Sequence, residues 1–226
     1  MEHKYDRSYK NLDGWTACLG PDDYHHRFGG SSWTVEGNRL QEDAPAILLN
    51  LDLTDPRLKD LDRANIGELP LCSYLNCGIW EQEQIYQLHP GEKKISLVQP
   101  FNDPVDYAER EDYIRVPMGE KRITLVKMGD GDIPVDEDSY WRACDSFLGG
   151  DHPIRILGAP LWLQEAESPE CICHKKMKYI ASIGYENFNE PAGFLDQDNP
   201  LFLGEIAIYF FFCMDCSIIK VIGQDS

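Results

Sequence analysis

Short runs of β-branched and aromatic residues, each bounded by Gly, Pro, Asn or Asp, recur along this chain of 226 residues. This pattern is typical of β-strands and the turns between them, and it predicts a mainly β fold. In residues 206–212 ("IAIYFFF") both alternating faces are apolar, which predicts a central strand covered on two sides. The predicted strands are 46–53, 84–88, 94–98, 121–128, 177–183, 205–212 and 217–222.

Helical signals are fewer, so we predict an α+β variant of a mainly β fold, with few short helices. Residues 54–65 offer Thr54 or Asp55 as a helix cap, followed by a proline in the first turn. Residues 136–150 begin with acidic side chains and end on glycine, which also indicates a helix. A third helix is predicted over residues 5–15.

An internal repeat relates the two halves of the chain. The segments "GGSSW" and "GAPLW" place Gly29 before Trp33 and Gly158 before Trp162, with both residues offset by 129 positions. Each tryptophan is followed by an apolar strand and then by a second hydrophobic strand that ends in cysteine. Self-similarity of this kind predicts a duplicated β-rich unit; coincidence between two β-rich halves is the alternative.

This repeat predicts the organisation of the chain. Residues 1–100 form a first β-rich unit, and residues 101–150 form an acidic connecting segment that ends in a short helix. Residues 151–226 form the second unit, which carries two cysteine pairs. We expect the three parts to make one compact body.

The cysteine pairs predict a structural zinc site in the second unit. Cys213 and Cys216 flank a short turn between two strands, and Cys171 and Cys173 precede a third strand. The turn can direct the thiolates of Cys213 and Cys216 at one ion. Side chains at positions i and i+2 of an extended segment point the same way, so Cys171 and Cys173 can converge on that ion too. Zinc binds four such ligands tetrahedrally. The alternative is four small, buried, apolar side chains.

Two further alternatives concern the same residues. His174 follows Cys173 directly and could replace Cys171 as the fourth ligand, although adjacent side chains of a strand point apart. A redox dithiol at "CMDC" is the second, but no βαβ pattern surrounds that motif. We therefore favour four cysteines.

These motifs carry a family resemblance. The segments "GAPLWLQ", "PECICHKKM" and "YFFFCMDC" resemble the C-terminal part of the YwqG-like family, a bacterial domain of unknown function. The resemblance is clearest over about 156–224 and weaker in the first half. It implies a β-rich, internally repeated fold and brings no agreed activity. Cys171 departs from the family pattern, whose first pair is usually Cys-x-x-Cys. The matching residues are Gly158, Pro160, Trp162, Gln164, Cys173, Met177, Cys213 and Cys216.

The charge of the chain bears on its partners. It has 39 acidic residues against 21 basic ones, for a formal net charge of −18. Affinity for nucleic acid depends largely on Lys and Arg, so neither nucleic acid nor an anionic membrane is expected as a partner. A basic protein is favoured instead. The beginning of the chain has no apolar signal region, which predicts a cytoplasmic location.

Signals for catalysis are weak. The chain has no nucleophile elbow, phosphate-binding loop or dinucleotide fingerprint. His25 and His26 could serve an enzyme together with acidic loops, but neighbouring side chains diverge, so we predict a solvated loop there instead. The acidic loop 130–138 fails the calcium pattern, because Pro134 and Val135 stand where the pattern needs Asp or Asn and then Gly.

We therefore expect a non-enzymatic protein-binding or scaffold protein with a structural zinc. One version is an antitoxin-like or immunity role, in which acidic surface covers a basic toxin. The alternative is a metal-dependent hydrolase or another enzyme whose site no motif marks.

Overall fold

Twelve strands dominate the part of the chain that the structure describes. This computed structural model covers residues 14–37, 44–64, 66–76, 82–99, 114–195 and 200–225. One α-helix, α1 (Glu137–Phe147), and two 3-10 helices, Pro56–Ala64 and Pro90–Glu92, complete the described elements. The strands are β1 (Gly14–Leu19), β2 (Arg27–Phe28), β3 (Thr34–Glu36), β4 (Ala46–Asp52), β5 (Glu68–Ser73), β6 (Gln84–His89), β7 (Lys94–Leu97), β8 (Lys121–Lys127), β9 (Ile154–Leu157), β10 (Lys178–Ile183), β11 (Ile206–Cys213) and β12 (Ile218–Asp225).

All twelve described strands belong to one sheet, which confirms the mainly β prediction. Their order is β3-β7-β6-β12-β11-β10-β9-β1-β8-β2-β4-β5. Among these pairs, only β3 and β7 run parallel. The predicted connecting segment 101–150 supplies β8 and α1, so the sheet joins the beginning, middle and end of the chain.

Strand β11 lies inside the sheet and is buried on both faces, as its sequence predicts. One face packs into an inner core, and the other packs into an outer core under α1. The inner core includes Leu49, Leu71, Ile156, Phe210 and Val221. The outer core includes Tyr140, Phe147, Trp162, Tyr209 and Phe211.

The sheet curls until its two ends meet. Glu68 in the last strand, β5, accepts a hydrogen bond from the Trp33 indole beside β3, at 3.3 Å. Lys93, next to β7, lies 3.3 Å from the same carboxylate. The backbone N–H of Tyr74, the residue after β5, also donates to the Gln84 side chain of β6 at 2.9 Å. The inner core is enclosed by this curl.

The predicted helices have mixed outcomes. Residues 54–65 contain the 3-10 helix Pro56–Ala64 instead of an α-helix, with Leu58 and Leu61 fully buried. Helix α1 is capped by Asp136, whose side chain accepts from the backbone of Ser139 at 2.8 Å. Of the helix predicted over residues 5–15, residues 5–13 lie outside the described ranges, and Gly14 begins β1.

An antiparallel pair at the middle of the sheet has similar neighbours on its two sides. Strands β1 and β8 pair about Cys18 and Thr124. The other side of β1 pairs with β9, followed by β10 and β11, whereas the other side of β8 pairs with β2, followed by β4 and β5. Thus β1 pairs with strands from the second half of the chain, and β8 with strands from the first.

The registers on the two sides also correspond. Strand β4 shifts register between Ile47 and Leu49, and β10 shifts between Tyr179 and Ala181. Arg27 pairs with Asn50, the second residue after the first irregularity. Arg155 pairs with Ser182, the second residue after the other. Two consecutive left-handed residues stand at the end of each strand: Gly29 and Gly30 follow β2, whereas Leu157 is the last residue of β9 and Gly158 follows it.

Candidate metal centre

The structure brings the four predicted cysteines together. Their sulfur atoms all lie within 4.8 Å of one another and form the cysteine cluster (Cys171, Cys173, Cys213 and Cys216). The sulfurs of Cys173 and Cys213 are 3.8 Å apart. Four thiols at these separations could bind a metal ion.

A tight turn after residue 170 positions the first pair. A β-bridge between Glu170 and Lys176 closes this turn, and the backbone N–H of Cys171 donates to the Lys175 carbonyl at 2.9 Å. His174 takes a left-handed conformation with φ 62°, which reverses the chain. This geometry lets two side chains separated by one residue approach the same point.

The hairpin between β11 and β12 positions the second pair. Cys213 is the last residue of β11, and Cys216 lies in the turn that follows. Gln87 of β6 donates to the Cys216 carbonyl at 2.9 Å, which fixes the turn against the neighbouring strand. Across the surface of the cluster, Lys175 and Asp215 form an ion pair of 2.8 Å that joins the two turns.

The thiols have unequal proton affinities. The backbone N–H of Lys175 donates to the Cys173 sulfur and is the main cause that lowers the pKa of this thiol to about 7. Burial raises the pKa of Cys171, and a hydrogen bond with Cys173 raises the pKa of Cys216 to about 12. Four thiolates this close repel one another, so beyond the ionisation of Cys173 the cluster keeps its protons unless a cation compensates the charge.

The alternative ligand and the motif residues lie around the cluster. The exposed His174 is not among the residues whose ligand atoms converge. Trp162 is in the outer core, with its ring centroid 4.6 Å from that of Tyr209, and this core reaches Cys171 and Cys213. Gly158 and Pro160 lie in the turn after β9, and the Gln164 side chain contacts Asp225.

The two neighbouring histidines diverge, as the sequence predicts, but the prediction of a solvated loop is wrong for His26, which is buried. His25 is exposed, and its backbone N–H donates to Asp52 at 3.0 Å. His26 is fully buried, with its Nε2 atom 2.8 Å from Asp55. The Nδ1 atom of His26 accepts from the backbone N–H of Asp52 at 3.1 Å, so Nε2 carries the proton. Burial lowers the pKa of His26 and keeps the ring neutral.

His26 belongs to a second group of potential metal ligands, but the two carboxylates of this group are already paired with an arginine. Asp22, His26 and Asp55 converge within 4.8 Å. The Arg57 guanidinium donates to Asp55 at 2.6 Å and to Asp22 at 2.5 Å. Desolvation is the largest single influence and opposes ionisation, but the hydrogen bonds from Arg57 and from the backbone of Leu125 and Asp23, with the charge of Arg57, together outweigh it and lower the pKa of Asp22 to about 2. We call these four side chains the arginine network, and they tie the loop after β1 to the 3-10 helix that follows β4.

Sequence reasoning found the cysteine cluster and missed the arginine network. The cysteines are marked by close spacing within each pair, whereas Arg57 and Asp22 are 35 positions apart and carry no motif. The isolated Cys18 and Cys144 stay outside the cluster.

Among the residues that the structure describes, no helix is both long enough and apolar enough to cross a membrane. Comparison of the chain with protein-family models, with curated proteins and with solved structures finds no match.

Proposed function

We propose that this protein is a non-enzymatic binding or scaffold protein whose second half is stabilised by a structural zinc ion. The observation that carries the proposal is the convergence of the cysteine cluster within 4.8 Å. In a tetrahedral site with metal–sulfur bonds of about 2.3 Å, two sulfurs are separated by about 3.8 Å. The spacing of 3.8 Å between Cys173 and Cys213 supports this geometry.

Zinc is the proposed ion because four thiolates close its coordination shell. A structural zinc site has four protein ligands, whereas a catalytic one leaves a position for water. With Cys171 as the fourth ligand, no coordination position on the zinc remains for water. This favours a structural role over the hydrolase alternative.

We also propose that the chain arose by duplication, with only the second unit binding metal. The matched registers around the β1–β8 pair support this, as do the paired left-handed residues at the ends of β2 and β9. If Arg27 corresponds to Arg155, as the registers indicate, then Gly158 corresponds to Gly30 and not to Gly29. Trp33 packs in the inner core and Trp162 in the outer core, so the two tryptophans do not occupy equivalent places and their offset does not support the duplication. The division at residues 100 and 150 and the YwqG-like resemblance remain part of this proposal.

The proposed partner is a basic protein in the cytoplasm. A formal net charge of −18 produces a negative field that accelerates encounter with a positive surface, and this effect weakens with salt. An antitoxin-like or immunity role, in which the acidic surface covers a basic toxin, fits this charge. Nucleic acid and anionic membranes are repelled by it.

Elemental analysis of the purified full-length protein tests the zinc proposal. We expect one zinc per chain and no visible absorption, whereas iron bound to four thiolates is coloured. Cys171→Ser should reduce the zinc content, and His174→Ala should leave it unchanged. Metal-free protein that unfolds at the same temperature with and without chelator would contradict the proposal.

The partner is tested separately, by affinity capture from extract at low and high salt. We expect a basic protein that is retained at low salt and released at high salt. Tight, salt-dependent binding of DNA or RNA in a mobility-shift assay would contradict this part of the proposal and leave the zinc site unaffected.

A further inference from the structure

Three aromatic side chains form an exposed cluster after β10. Phe188 is 57% exposed and packs edge-on against Phe202, with 4.8 Å between the ring centroids. Phe202 packs in turn against Tyr185 at 5.5 Å, and both of these rings are half-buried. We call Tyr185, Phe188 and Phe202 the aromatic cluster. All three lie outside the inner and outer cores, so packing inside the sheet does not account for the exposed ring of Phe188.

The backbone around the aromatic cluster is held in place by two charged side chains. The Glu186 side chain is fully buried, and its carboxylate accepts three backbone N–H groups at 2.5–3.1 Å. Lys121 of β8 donates to two backbone carbonyls of the same loop. The donors to Glu186 belong to Gly193, Phe194 and Leu201. An exposed ring on a fixed support loses little conformational freedom when a partner covers it, which favours binding.

The exposed face of α1 lies next to this cluster. The backbone N–H of Gly149, just after the helix, donates to the Tyr185 carbonyl at 2.8 Å. Within the helix, Trp141 is 47% exposed. Glu137, Trp141 and Asp145 are spaced four residues apart and are all exposed, so they share one face of α1. This face leads along the helix from Trp141 towards the aromatic cluster.

Carboxylates border the rings on both elements. Burial raises the pKa of Tyr185, and the negative charges of Glu205 and Asp145 raise it further, so both acids lie near its hydroxyl. Helix α1 carries three acids against one base, Arg142. The remaining exposed acids close to these rings in the sequence are Glu137, Asp138 and Glu190. We call Trp141, Asp145, Glu205 and the aromatic cluster the aromatic–acidic surface.

The other exposed large apolar side chains among the described residues are all aliphatic. They are Val98, Val126, Val135 and Ile172. Ile172 lies in the same turn as Lys175 and Lys176, whose positive charges repel a basic partner. Exposed aromatic rings and carboxylates therefore occur together at the aromatic–acidic surface.

We propose that the aromatic–acidic surface binds lysine and arginine side chains of a basic protein. This inference rests on the basic partner of the proposed function and assigns that partner to one face of the molecule. Cations are attracted both to the faces of aromatic rings and to carboxylates. Arginine suits such a mixed surface best, because its guanidinium stacks on rings and pairs with carboxylates. A second copy of this chain is disfavoured, since its own carboxylates would face these.

Nuclear magnetic resonance of the full-length protein tests this proposal, with a blocked peptide of alternating arginine and glycine as the probe. Sodium chloride keeps the ionic strength constant throughout the titration. We expect saturable shifts of the Trp141 indole N–H and the Phe188 amide, and none with the uncharged citrulline version of the peptide. Trp141→Ala and Phe188→Ala should each weaken the binding about two- to fivefold, and the double variant about tenfold. Val126→Ala is the control and should bind the peptide as the parent protein does.

A second pair of variants tests the contribution of the acids. Asp145→Asn and Asp60→Asn each remove one exposed carboxylate and leave the same net charge, but Asp60 lies in the 3-10 helix of the first half. Asp145→Asn should weaken the binding about threefold, and Asp60→Asn should change it much less. Thermal unfolding of each variant shows that the fold is retained.

Three results would overturn the proposal. If the peptide binds the parent and the double variant equally, or if the two Asn variants weaken binding equally, a basic partner is bound at another surface. If the peptide does not bind the parent at all, affinity capture from extract decides whether the basic partner itself survives. If sedimentation shows a dimer of the parent that Phe188→Ala dissociates, the surface is an interface between two copies of this chain.

Discussion

The strands on the two sides of the β1–β8 pair share a pairing pattern, but different polar groups stabilise the segments attached to them. On the β2-β4-β5 side, the arginine network joins the loop after β1 to the 3-10 helix through ion pairs of 2.5 and 2.6 Å. On the β9-β10-β11 side, the cysteine cluster joins two turns, and Arg155 has no ion pair with a described carboxylate.

This difference shows how much freedom a shared sheet leaves to its attached segments. Backbone hydrogen bonds and apolar packing position the strands in both halves, whatever the polar side chains are. The loops need a further constraint, because few apolar contacts hold them. A partly buried ion-pair network provides it in one half, and a cluster suited to a metal provides it in the other.

Loss of a cysteine from the cluster should have the largest effect. Cys213→Ser should lower the free energy of unfolding by about 5 kcal/mol, because metal binding to a structural site is coupled to folding. Urea unfolding followed by tryptophan fluorescence, together with zinc content, measures this. Cys18→Ser is the control and should change stability by about 1 kcal/mol or less. An equal loss of stability in both variants would show that the cysteine cluster has no special role in stability.

Truncation of the inner core should have the next largest effect and tests whether the two sides unfold together. Phe210→Ala should cost about 4 kcal/mol and Leu71→Ala about 3 kcal/mol, since both side chains are fully buried. Both residues belong to the inner core, so each variant should shift a single common transition. Two separate transitions by calorimetry and circular dichroism would mean that the sides are independent.

Protonation of His26 should have a moderate effect on the free energy of unfolding. Burial lowers its pKa below the ordinary value of 6.5, so the unfolded chain binds the proton first. Stability from this group is therefore complete above pH 6.5 and is lost as the pH falls below it. The loss is at most about 1.4 kcal/mol per pH unit for one proton.

Urea unfolding between pH 7 and about pH 5 measures this dependence. His26→Gln should flatten it, because an amide can donate to Asp55 and accept from the Asp52 backbone without titrating. His25→Gln, at the exposed neighbouring position, should retain the parent slope. If His26→Gln keeps the pH dependence of the parent protein, other titrating groups cause it.

The smallest effect is expected for the ion pairs of Arg27. Its side chain is 21% exposed and that of Glu120 is 49% exposed, so solvent screens the attraction between them. Arg27→Met should therefore lower the free energy of unfolding by only about 0.5–1 kcal/mol, and less at high salt. Thermal unfolding at two salt concentrations tests this. A loss of several kcal/mol would show that the carboxylates around Arg27 cannot tolerate removal of its charge.

Much of the sheet could be predicted because most strands carry a strong local signal. The runs that became β4, β6, β7, β8, β10, β11 and β12 are rich in β-branched or aromatic residues. Strands β2 and β3 have only two and three residues, too few for any pattern. Strand β9 contains the buried Arg155 within four residues, so its composition does not indicate a central strand.

The cysteine cluster could be anticipated for the same local reason, since each pair is contained within one turn. The contacts of His26 and the isolation of Arg155 depend on which strands become neighbours. His26 and Asp55 are 29 positions apart, and nothing in either segment indicates that they meet. Information of that kind lies in the strand order, which the sequence pattern leaves open.

Strand β1 comes early in the chain but pairs only with strands from the second half, and this has a consequence for synthesis of the chain on the ribosome. Strand β1 is among the first described segments to be made, yet its two neighbours are β8 and β9, which include residues 121–127 and 154–157. Domains commonly fold as they emerge, but here β1 must wait for more than a hundred further residues. During that interval its backbone groups are open to pairing with other chains. A nascent chain of this protein should therefore depend on early protection, such as a chaperone bound to β1, until Leu157 has left the exit tunnel.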